Sequence, residues 1–255
     1  MKSALLALAR ALAPCYGLIP WRLRRTLVNG LMVLESRIGG PQKALRHLLS
    51  HEDDLNLLLN ERATAIGNGV HPKHRLIGYH DFFISRILDG AVVLDVGCGV
   101  GEVAAAIAAA KPKSQVIGID NHPGRLDQAR QRHQRGNLRF YEADALSCVE
   151  PEFCDVIVLS NVLEHIVDRT GFLASLVKTR KPKLLLVRVP LFERDWKMGL
   201  RRELGVDYRS DPTHMIEHRL EEFRAEMSEA NLEIRECIAI WGEIWASLLP
   251  RRHTA

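Results

Sequence analysis

The sequence predicts an α/β fold with a doubly wound, seven-stranded, mostly parallel sheet that closes with an antiparallel C-terminal hairpin. Between residues 91 and 188, five short apolar runs alternate with helical segments, the pattern of parallel strands joined by crossover helices. A glycine-rich turn follows the first strand, as in ligand-binding sheets of this type. Two strand-like runs within 232–248 meet near Gly242 and predict the hairpin. Residues 1–88 have helical patterns throughout, which predicts an N-terminal helical extension.

The apolar runs and the chain breaks between them set the expected element boundaries. The parallel strands are predicted at 91–96, 115–119, 137–141, 155–160 and 183–188. The helices of this part are predicted at 101–110, 123–134, 145–147 (one short turn), 168–179 and 217–229. Prolines and glycines divide the extension into helices predicted at 3–12, 21–37, 41–49, 52–65 and 74–88, and Ser50 is read as a helix start.

Composition limits the class of protein and its partners. The 255 residues have a hydrophobic fraction of 47% and a net charge of +4, which fit a globular chain and fall short of a nucleic-acid binder. The cysteines are odd in number and none form C-x-x-C, so we predict free thiols in a reducing cytoplasm and no zinc site. They are Cys15, Cys98, Cys148, Cys154 and Cys237.

The first 25 residues allow two interpretations. Lys2 and the apolar run 4–9 resemble a secretory signal, but Arg10 interrupts the run and no stretch is long enough to span a membrane. The leucines fall at helical spacing and arginines follow them. The segment is therefore either a helix docked on the domain or a peripheral contact with an acidic membrane surface.

The glycine turn has an acid directly before it. Residues 91–101 read Ala-Val-Val-Leu-Asp-Val-Gly-Cys-Gly-Val-Gly, so Asp95 precedes Gly97, Gly99 and Gly101. Glycines allow positive φ and close approach of a ligand to the backbone, and the helix that follows offers unpaired N–H groups. The dinucleotide pattern is G-x-G-x-x-G, whereas here the spacing is G-x-G-x-G. A carboxylate at this point repels a pyrophosphate and attracts an ammonium group.

This stretch resembles motif I of the class I S-adenosylmethionine-dependent methyltransferases, whose cofactor carries a sulfonium and an α-ammonium but no phosphate. The resemblance covers about residues 71–250. It implies a Rossmann-like methyltransferase domain at 89–255 with an acceptor-pocket insertion at 189–218. The helical extension at 1–88 is expected to cap this domain. It also implies S-adenosylmethionine as the cofactor, with its amino-acid part on Asp95 and the glycines.

Polar residues at the carboxyl ends of the next strands are candidate cofactor ligands, because ligands of such sheets bind there. Asp120, with Asn121 beside it, ends the second strand and can accept both ribose hydroxyls, although a helix N-cap is the alternative. After the third strand, Asp144 can accept the adenine amino group, with Ala145 against the ring.

The fourth strand runs into Ser160-Asn161-Val162-Leu163-Glu164-His165-Ile166, which closely resembles the post-strand signature of small-molecule and glycan methyltransferases. Ser160 and Asn161 are expected near the sulfonium methyl. The N/D-P-P-Y tetrapeptide of amino-directed enzymes and a Pro-Cys nucleophile are both absent. His165 is a candidate general base, or Glu164 and His165 cap a helix or orient the loop.

The insertion at 189–218 ends in an Asp211-Pro212-Thr213-His214 run that resembles a pattern of the same group, which makes His214 a second candidate base or an acceptor ligand. Asp207, Asp211 and His214 could instead hold a divalent ion. Nothing in their spacing fixes such a geometry, and we predict no metal site.

The polar segment 71–80 precedes the first strand, and His71, His74 and Arg75 share a helix face. It is either a solvated helix face or a lid in which Arg75 or Lys73 neutralises the cofactor carboxylate.

These observations predict S-adenosylmethionine-dependent methyl transfer to a hydroxyl of a small molecule or glycan. The alternatives are an NAD(P)-dependent oxidoreductase and a methyltransferase-like binding protein without turnover. The oligomeric state is left open.

Overall fold

The computed structural model describes residues 2–147 and 151–251, and Cys148 lies outside them. Seven strands form one sheet in the order β3-β2-β1-β4-β5-β7-β6. The first five pair in parallel, and β7 runs antiparallel to both β5 and β6. The predicted fold class is therefore confirmed. The strands are β1 (Val92–Val96), β2 (Gln115–Asp120), β3 (Leu138–Glu142), β4 (Val156–Ser160), β5 (Leu184–Pro190), β6 (Leu232–Ile240) and β7 (Glu243–Pro250).

Helices precede the sheet, connect its strands and follow β5. They are α1 (Lys2–Gly17), α2 (Trp21–Glu35), α3 (Pro41–Ile66), α4 (Lys73–Leu76), α5 (Tyr79–Ile84), α6 (Glu102–Ala110), α7 (Pro123–Arg132), α8 (Arg169–Arg180), α9 (Lys197–Glu203) and α10 (Leu220–Glu229). Two 3₁₀ turns span Leu163–His165 and Phe192–Arg194. The described helices include none with the length and apolar character needed to cross a bilayer.

Two hydrophobic clusters cover the two faces of the sheet. Alternate residues of β1 point to opposite faces, so Leu94 lies in one cluster and Val93 in the other. Helices α8 and α10 cover the first face, with Leu173 and Phe223 fully buried. Helices α5, α6 and α7 cover the second face. Burial of a large apolar side chain contributes about 1.5–3 kcal/mol, so these clusters fix the strand ends that carry the polar residues.

The chain divides into two compact units. The smaller contains residues up to 63 together with 203–206, and the larger contains 64–202 and the residues from 207 onward. Helices α4 and α5 belong to the larger unit, where Phe82 packs on Trp245 of β7 at a ring distance of 5.6 Å. In the smaller unit, α2 buries none of its side chains, and Leu23, Leu27, Leu31 and Leu34 are exposed.

Several predicted helix ends were wrong. Helix α1 continues through Pro14 to Gly17, and α3 runs through Ser50, which starts no helix. No glycine or further proline lies between Pro41 and Ile66, so nothing in that stretch forces a break. The segment predicted as one helix at 74–88 is divided at Gly78, whose φ of 64° is left-handed. Residues 145–147 form a turn and no helix.

Candidate active site

A cavity of about 330 Å³ opens at the carboxyl ends of β1, β2 and β4. Strand order reverses between β1 and β4, and open α/β sheets bind their ligands at this switch point. Six of the predicted cofactor-binding residues line this cavity, together with the candidate base His165. The six are Gly97, Asp120, Asn121, Asp144, Ala145 and Asn161.

The three glycines of the turn serve different purposes. All have positive φ, 66° at Gly97, 57° at Gly99 and 82° at Gly101. Only Gly97 lines the cavity, and a Cβ there would lie 2.8 Å from a methyl group of Val162. A Cβ on Gly101 would lie 2.6 Å from the ring of Phe140, so this glycine permits close packing of α6 on the sheet.

Asp95 lies beneath the turn and is not among the residues that line the cavity. Its side chain is 1% exposed and accepts a hydrogen bond from the backbone N–H of Ala104 in α6. Complete burial raises the pKa of Asp95 to about 7. Its Oδ2 has no hydrogen-bond partner among the described residues. The carboxylate is therefore placed to hold the first turns of α6 onto β1.

Asp120 joins the second strand to the glycine turn. Its Oδ2 accepts the backbone N–H of Gly99 at 2.8 Å, and its Oδ1 accepts the N–H of His122 at 2.8 Å. Each carboxylate oxygen has a second lone pair, so a ligand can still bind to the side that faces the cavity. The Nδ1 atom of His122, and not Asp120, accepts a bond at the start of α7, from the N–H of Arg125.

The other predicted contacts lie on two loops. Asp144 forms a turn in which its Oδ1 accepts the backbone N–H of Leu146 at 2.9 Å. This turn occupies 145–147, where a helix was expected, and it leaves Asp144 and Ala145 on the cavity wall. Asn161 has a φ of 58°, which asparagine tolerates better than most residues. Ser160 instead accepts a hydrogen bond from Arg188 and lies outside the lining.

The segment 71–80 contributes to a different cavity. Arg75 is exposed on α4 and lines neither cavity described here. Lys73 lines the second cavity, and burial lowers its pKa. Nδ1 of His74 is hydrogen-bonded to the hydroxyl of Tyr79, and burial lowers the pKa of this imidazole to about 4. The histidine is therefore neutral near pH 7.

The second cavity, of about 440 Å³, adjoins the first. The two share Asn161 and His165. Its walls are mostly polar and come from α4, the end of β5, the loop before α10 and the β6–β7 turn. They include Lys73, Arg194, Ser210, Asp211, His214, Trp241 and Glu243.

The two candidate bases are neighbours. The rings of His165 and His214 have centroids 4.7 Å apart and are nearly perpendicular. His165 is exposed to the cavities, whereas His214 is buried and its Nδ1 lies 2.9 Å from Oε1 of Glu217. Glu164 is fully buried beside them, and desolvation raises its pKa to about 7.

Sequence reasoning missed several residues of the first cavity, namely Arg125, Val162, Ile166, Phe172 and Thr213. Arg125 lies in the first turn of α7, shortly after the strand that ends at Asp120. This position in the sequence could have identified Arg125 as a candidate ligand-binding residue. Phe172 and Thr213 come from α8 and the insertion, and only the folded chain brings them here.

The cavity residues suit a nucleoside linked to an amino acid with no phosphate. Gly97 lines the cavity and has no side chain, so a ligand can approach the backbone of the turn there. The carboxylates of Asp120 and Asp144 can accept hydrogen bonds from hydroxyl and amino groups of a ligand and would repel a diphosphate.

Comparison with known proteins agrees with this chemistry. Residues 93–183 match the family model described as a methyltransferase domain. Together with the sheet order, this match indicates a class I S-adenosylmethionine-dependent methyltransferase domain at residues 93–183, and S-adenosylmethionine is the cofactor that such a domain implies.

Individual relatives are more distant. The chain is 30% identical over 123 residues to the ubiquinone biosynthesis O-methyltransferase of Bradyrhizobium diazoefficiens, covering 48% of this chain and 47% of that one. It is 28% identical over 192 residues to the trans-aconitate 2-methyltransferase of Streptomyces coelicolor, covering 71% and 63%. The chain thus spans about half the length of the curated relatives it matches. A SAM dependent methyltransferase from Aquifex aeolicus shares the fold, with a TM-score of 0.57, 15% identity and coverage of 71% and 93%.

Proposed function

We propose that the protein transfers a methyl group from S-adenosylmethionine to a hydroxyl oxygen of a small molecule or glycan. The observation that carries this proposal is that Asn161 and His165 line both cavities. A reacting methyl group must pass from a cofactor in one cavity to an acceptor in the other. The shared wall is the place where the two substrates can meet in line.

On the cofactor side, each proposed contact follows from a strand end. The Gly97 backbone would hold the amino-acid part, Asp120 and Asn121 the ribose, and Asp144 with Ala145 the adenine. When bound, S-adenosylmethionine supplies a methyl group activated by a positively charged sulfur. The protein's part is to align this group with the acceptor and to exclude water from the shared wall.

On the acceptor side, the second cavity favours a compact polar molecule. Lys73 and Asp211 offer opposite charges, Ser210 a hydroxyl and Trp241 a ring surface. The name of one relative, the ubiquinone biosynthesis O-methyltransferase, supports an oxygen acceptor, and the name of the trans-aconitate 2-methyltransferase supports a small molecule. His165 or His214 would activate it as a general base.

We also propose that the smaller unit makes a peripheral contact with an anionic membrane on its cytoplasmic side. Between Lys2 and Arg46, basic residues far outnumber the single acid, Glu35. The apolar side chains of α2 are exposed, as are Leu8 and Leu12 of α1. Co-sedimentation with vesicles of phosphatidylglycerol, but not of phosphatidylcholine, is the expected result. Equal recovery with both would contradict it.

The enzyme function is tested by titration and by methyl transfer. Isothermal titration with S-adenosylhomocysteine should give one site per chain, and titration with NAD should give none. Tight NAD binding without S-adenosylhomocysteine binding would favour an oxidoreductase. Labelled S-adenosylmethionine is then incubated with fractionated cell extract, and the product is identified by mass. Cofactor binding with no labelled product in any fraction would favour a binding protein without turnover.

A further inference from the structure

Glu164 is a buried acid for which the described part of the chain provides no ion pair. Its side chain is fully buried, and neither oxygen has a hydrogen-bond partner among the described residues. Buried carboxylates in proteins are normally paired, hydrogen-bonded or bound to a metal ion. The residue lies in a 3₁₀ turn directly after β4, at the wall that the two cavities share. An unsatisfied acid at this position indicates a missing cationic partner.

Two imidazoles stand next to this carboxylate. One ligand atom each from Glu164, His165 and His214 lies within 4.8 Å of the other two. An ion bound at about 2.0–2.2 Å from each donor would draw the three atoms closer together. Because His165 is exposed, its ring is free to make most of that adjustment.

The orientation of His214 also suits a metal ligand. Its Nδ1 lies 2.9 Å from Oε1 of the fully buried Glu217, which leaves Nε2 as the free ring nitrogen. Glu217 is itself held by Arg194 at 2.5 Å and by the hydroxyl of Ser210 at 2.9 Å. Metal-binding histidines typically donate their other N–H to a carboxylate in this way.

A backbone hydrogen bond joins the 3₁₀ turn that carries Glu164 to the loop that carries His214. The N–H of Met215 donates to the carbonyl of Glu164 at 2.7 Å, so the loop that carries His214 is fixed to the turn that carries Glu164. Thr213 in the same loop is 3.2 Å from Nδ1 of His165. The three donors therefore come from two segments that are joined to each other.

We propose that Glu164, His165 and His214 bind one divalent first-row transition ion of the zinc type. Two imidazoles and one carboxylate are a donor set of catalytic zinc sites, which keep a further position open. The open position here would face the second cavity, since His165 and His214 both line it. Of the set considered from sequence, only His214 is retained, because Asp207 pairs with Arg209 and Asp211 accepts from Thr213.

This inference rests on the proposed function. It adds an ion to which the hydroxyl of the acceptor would bind. An acceptor hydroxyl that binds to the ion loses its proton to water more readily, because the cation stabilises the oxygen anion. The O–H bond would break with its electron pair left on oxygen, and that oxygen would attack the methyl carbon. The bond from this carbon to the sulfonium sulfur would break with its electron pair left on sulfur, so that S-adenosylhomocysteine leaves. His165 and His214 then act as ligands of the ion, and neither needs to accept the proton. Acceptors with a second oxygen next to the hydroxyl would bind best.

The test is binding of Co²⁺ alone to the full chain after treatment with a chelator. The exposed thiol Cys15 is replaced by Ser in all samples to remove a competing soft ligand. We expect one Co²⁺ per chain with visible absorption, displaced by Zn²⁺. Glu164→Gln and His165→Gln should each weaken Co²⁺ binding at least tenfold, whereas the exposed His51→Ala in α3 should not change it.

Folding and cofactor binding are measured in parallel. Because His165 is exposed, His165→Gln tests the site even if Glu164→Gln unfolds, and circular dichroism reports on both variants. No Co²⁺ binding by the chain that carries only Cys15→Ser, or equal binding by folded His165→Gln, would overturn the metal site. If the chain binds S-adenosylhomocysteine but not Co²⁺, the metal-site proposal is wrong and the proposed function stands. If the chain binds Co²⁺ but not S-adenosylhomocysteine, the metal site stands and the proposed function is wrong.

Discussion

Gly99 donates its backbone N–H to Oδ2 of Asp120 at 2.8 Å, and this bond ties the glycine turn after β1 to the end of β2. The N–H of His122 holds the other carboxylate oxygen at 2.8 Å. Asp120 is thus anchored by backbone donors on two sides and still lines the first cavity. A carboxylate held so firmly loses little conformational entropy when a ligand binds, which suits it to select the ribose hydroxyls of the cofactor.

Replacing Asp120 with Ala should weaken S-adenosylhomocysteine binding by about 2 kcal/mol or more, because a charged acceptor is lost from the cavity. Isothermal titration measures the change. Asp127→Ala, on the exposed side of α7, is the matched control and should leave the dissociation constant unaltered. If Asp120→Ala binds as tightly as the wild type, Asp120 does not belong to the cofactor site.

Gly97→Ala should impair both folding and binding. A Cβ there would be 2.8 Å from Val162, on a backbone with a φ of 66°, and the left-handed conformation alone costs an L-residue about 1–2 kcal/mol. Gly90 is a control with a similar φ of 82° and no heavy atom within 4 Å of its Cβ position. We expect Gly90→Ala to lower the free energy of unfolding while S-adenosylhomocysteine binding persists. Equal binding by both variants would argue against a ligand contact at Gly97.

The strand ends were predictable from sequence because local patterns determine them. Apolar runs bounded by glycine or acid identify β1, β2 and β4, and parallel pairing then brings their carboxyl ends to one edge. The first cavity is therefore lined, as expected for polar residues that follow strand ends, by Asp120, Asn121, Asp144 and Asn161. Asp95 has the same local signature, but the sequence does not show that α6 folds over it and buries it.

The remaining features depend on contacts between distant segments. Phe172 and Thr213 reach the first cavity only after the insertion has folded back toward β4. The grouping of Glu164 with His214 joins residues fifty positions apart, and the spacing of either motif gives no sign of it. Helix ends in the N-terminal region were wrong because acids and a single proline are weak stop signals when nothing else interrupts the helix.

Arg188→Met should lower the free energy of unfolding by about 3 kcal/mol, since it leaves a carboxylate without its partner. Arg188 is 4% exposed, bonds Glu243 through two nitrogens and lies 4.0 Å from the ring centre of Tyr79. Urea denaturation measures the loss. Arg62→Met, which breaks the exposed pair with Glu61, should change stability by no more than about 1 kcal/mol. Adding Glu243→Gln to Arg188→Met should recover part of the loss, and no recovery would show that the ion pair is not its cause.

The half-buried imidazole of His74 should make the fold less stable in mild acid. Burial lowers the pKa of His74 from 6.5 to about 4. Between about pH 6.5 and pH 4, the imidazole is therefore protonated in the unfolded chain but neutral in the folded chain. Stability contributed by the neutral ring is therefore present above about pH 6.5 and is lost as the pH falls toward about 4. The groups that act on this ring are Lys73, His80, Glu102 and Arg188, with Tyr79 bonded to Nδ1.

Between about pH 7 and pH 5 we expect the wild type to lose about 1 kcal/mol more than His74→Asn, allowing for solvent screening of a partly buried ring. Asn keeps an acceptor for the Tyr79 hydroxyl but does not titrate, so the difference between the two denaturation curves isolates the imidazole. The exposed His51→Ala should follow the wild type across the same range. Parallel pH profiles for wild type and His74→Asn would show that His74 is protonated in the folded chain, because only a group whose pKa differs between the folded and unfolded states makes stability depend on pH.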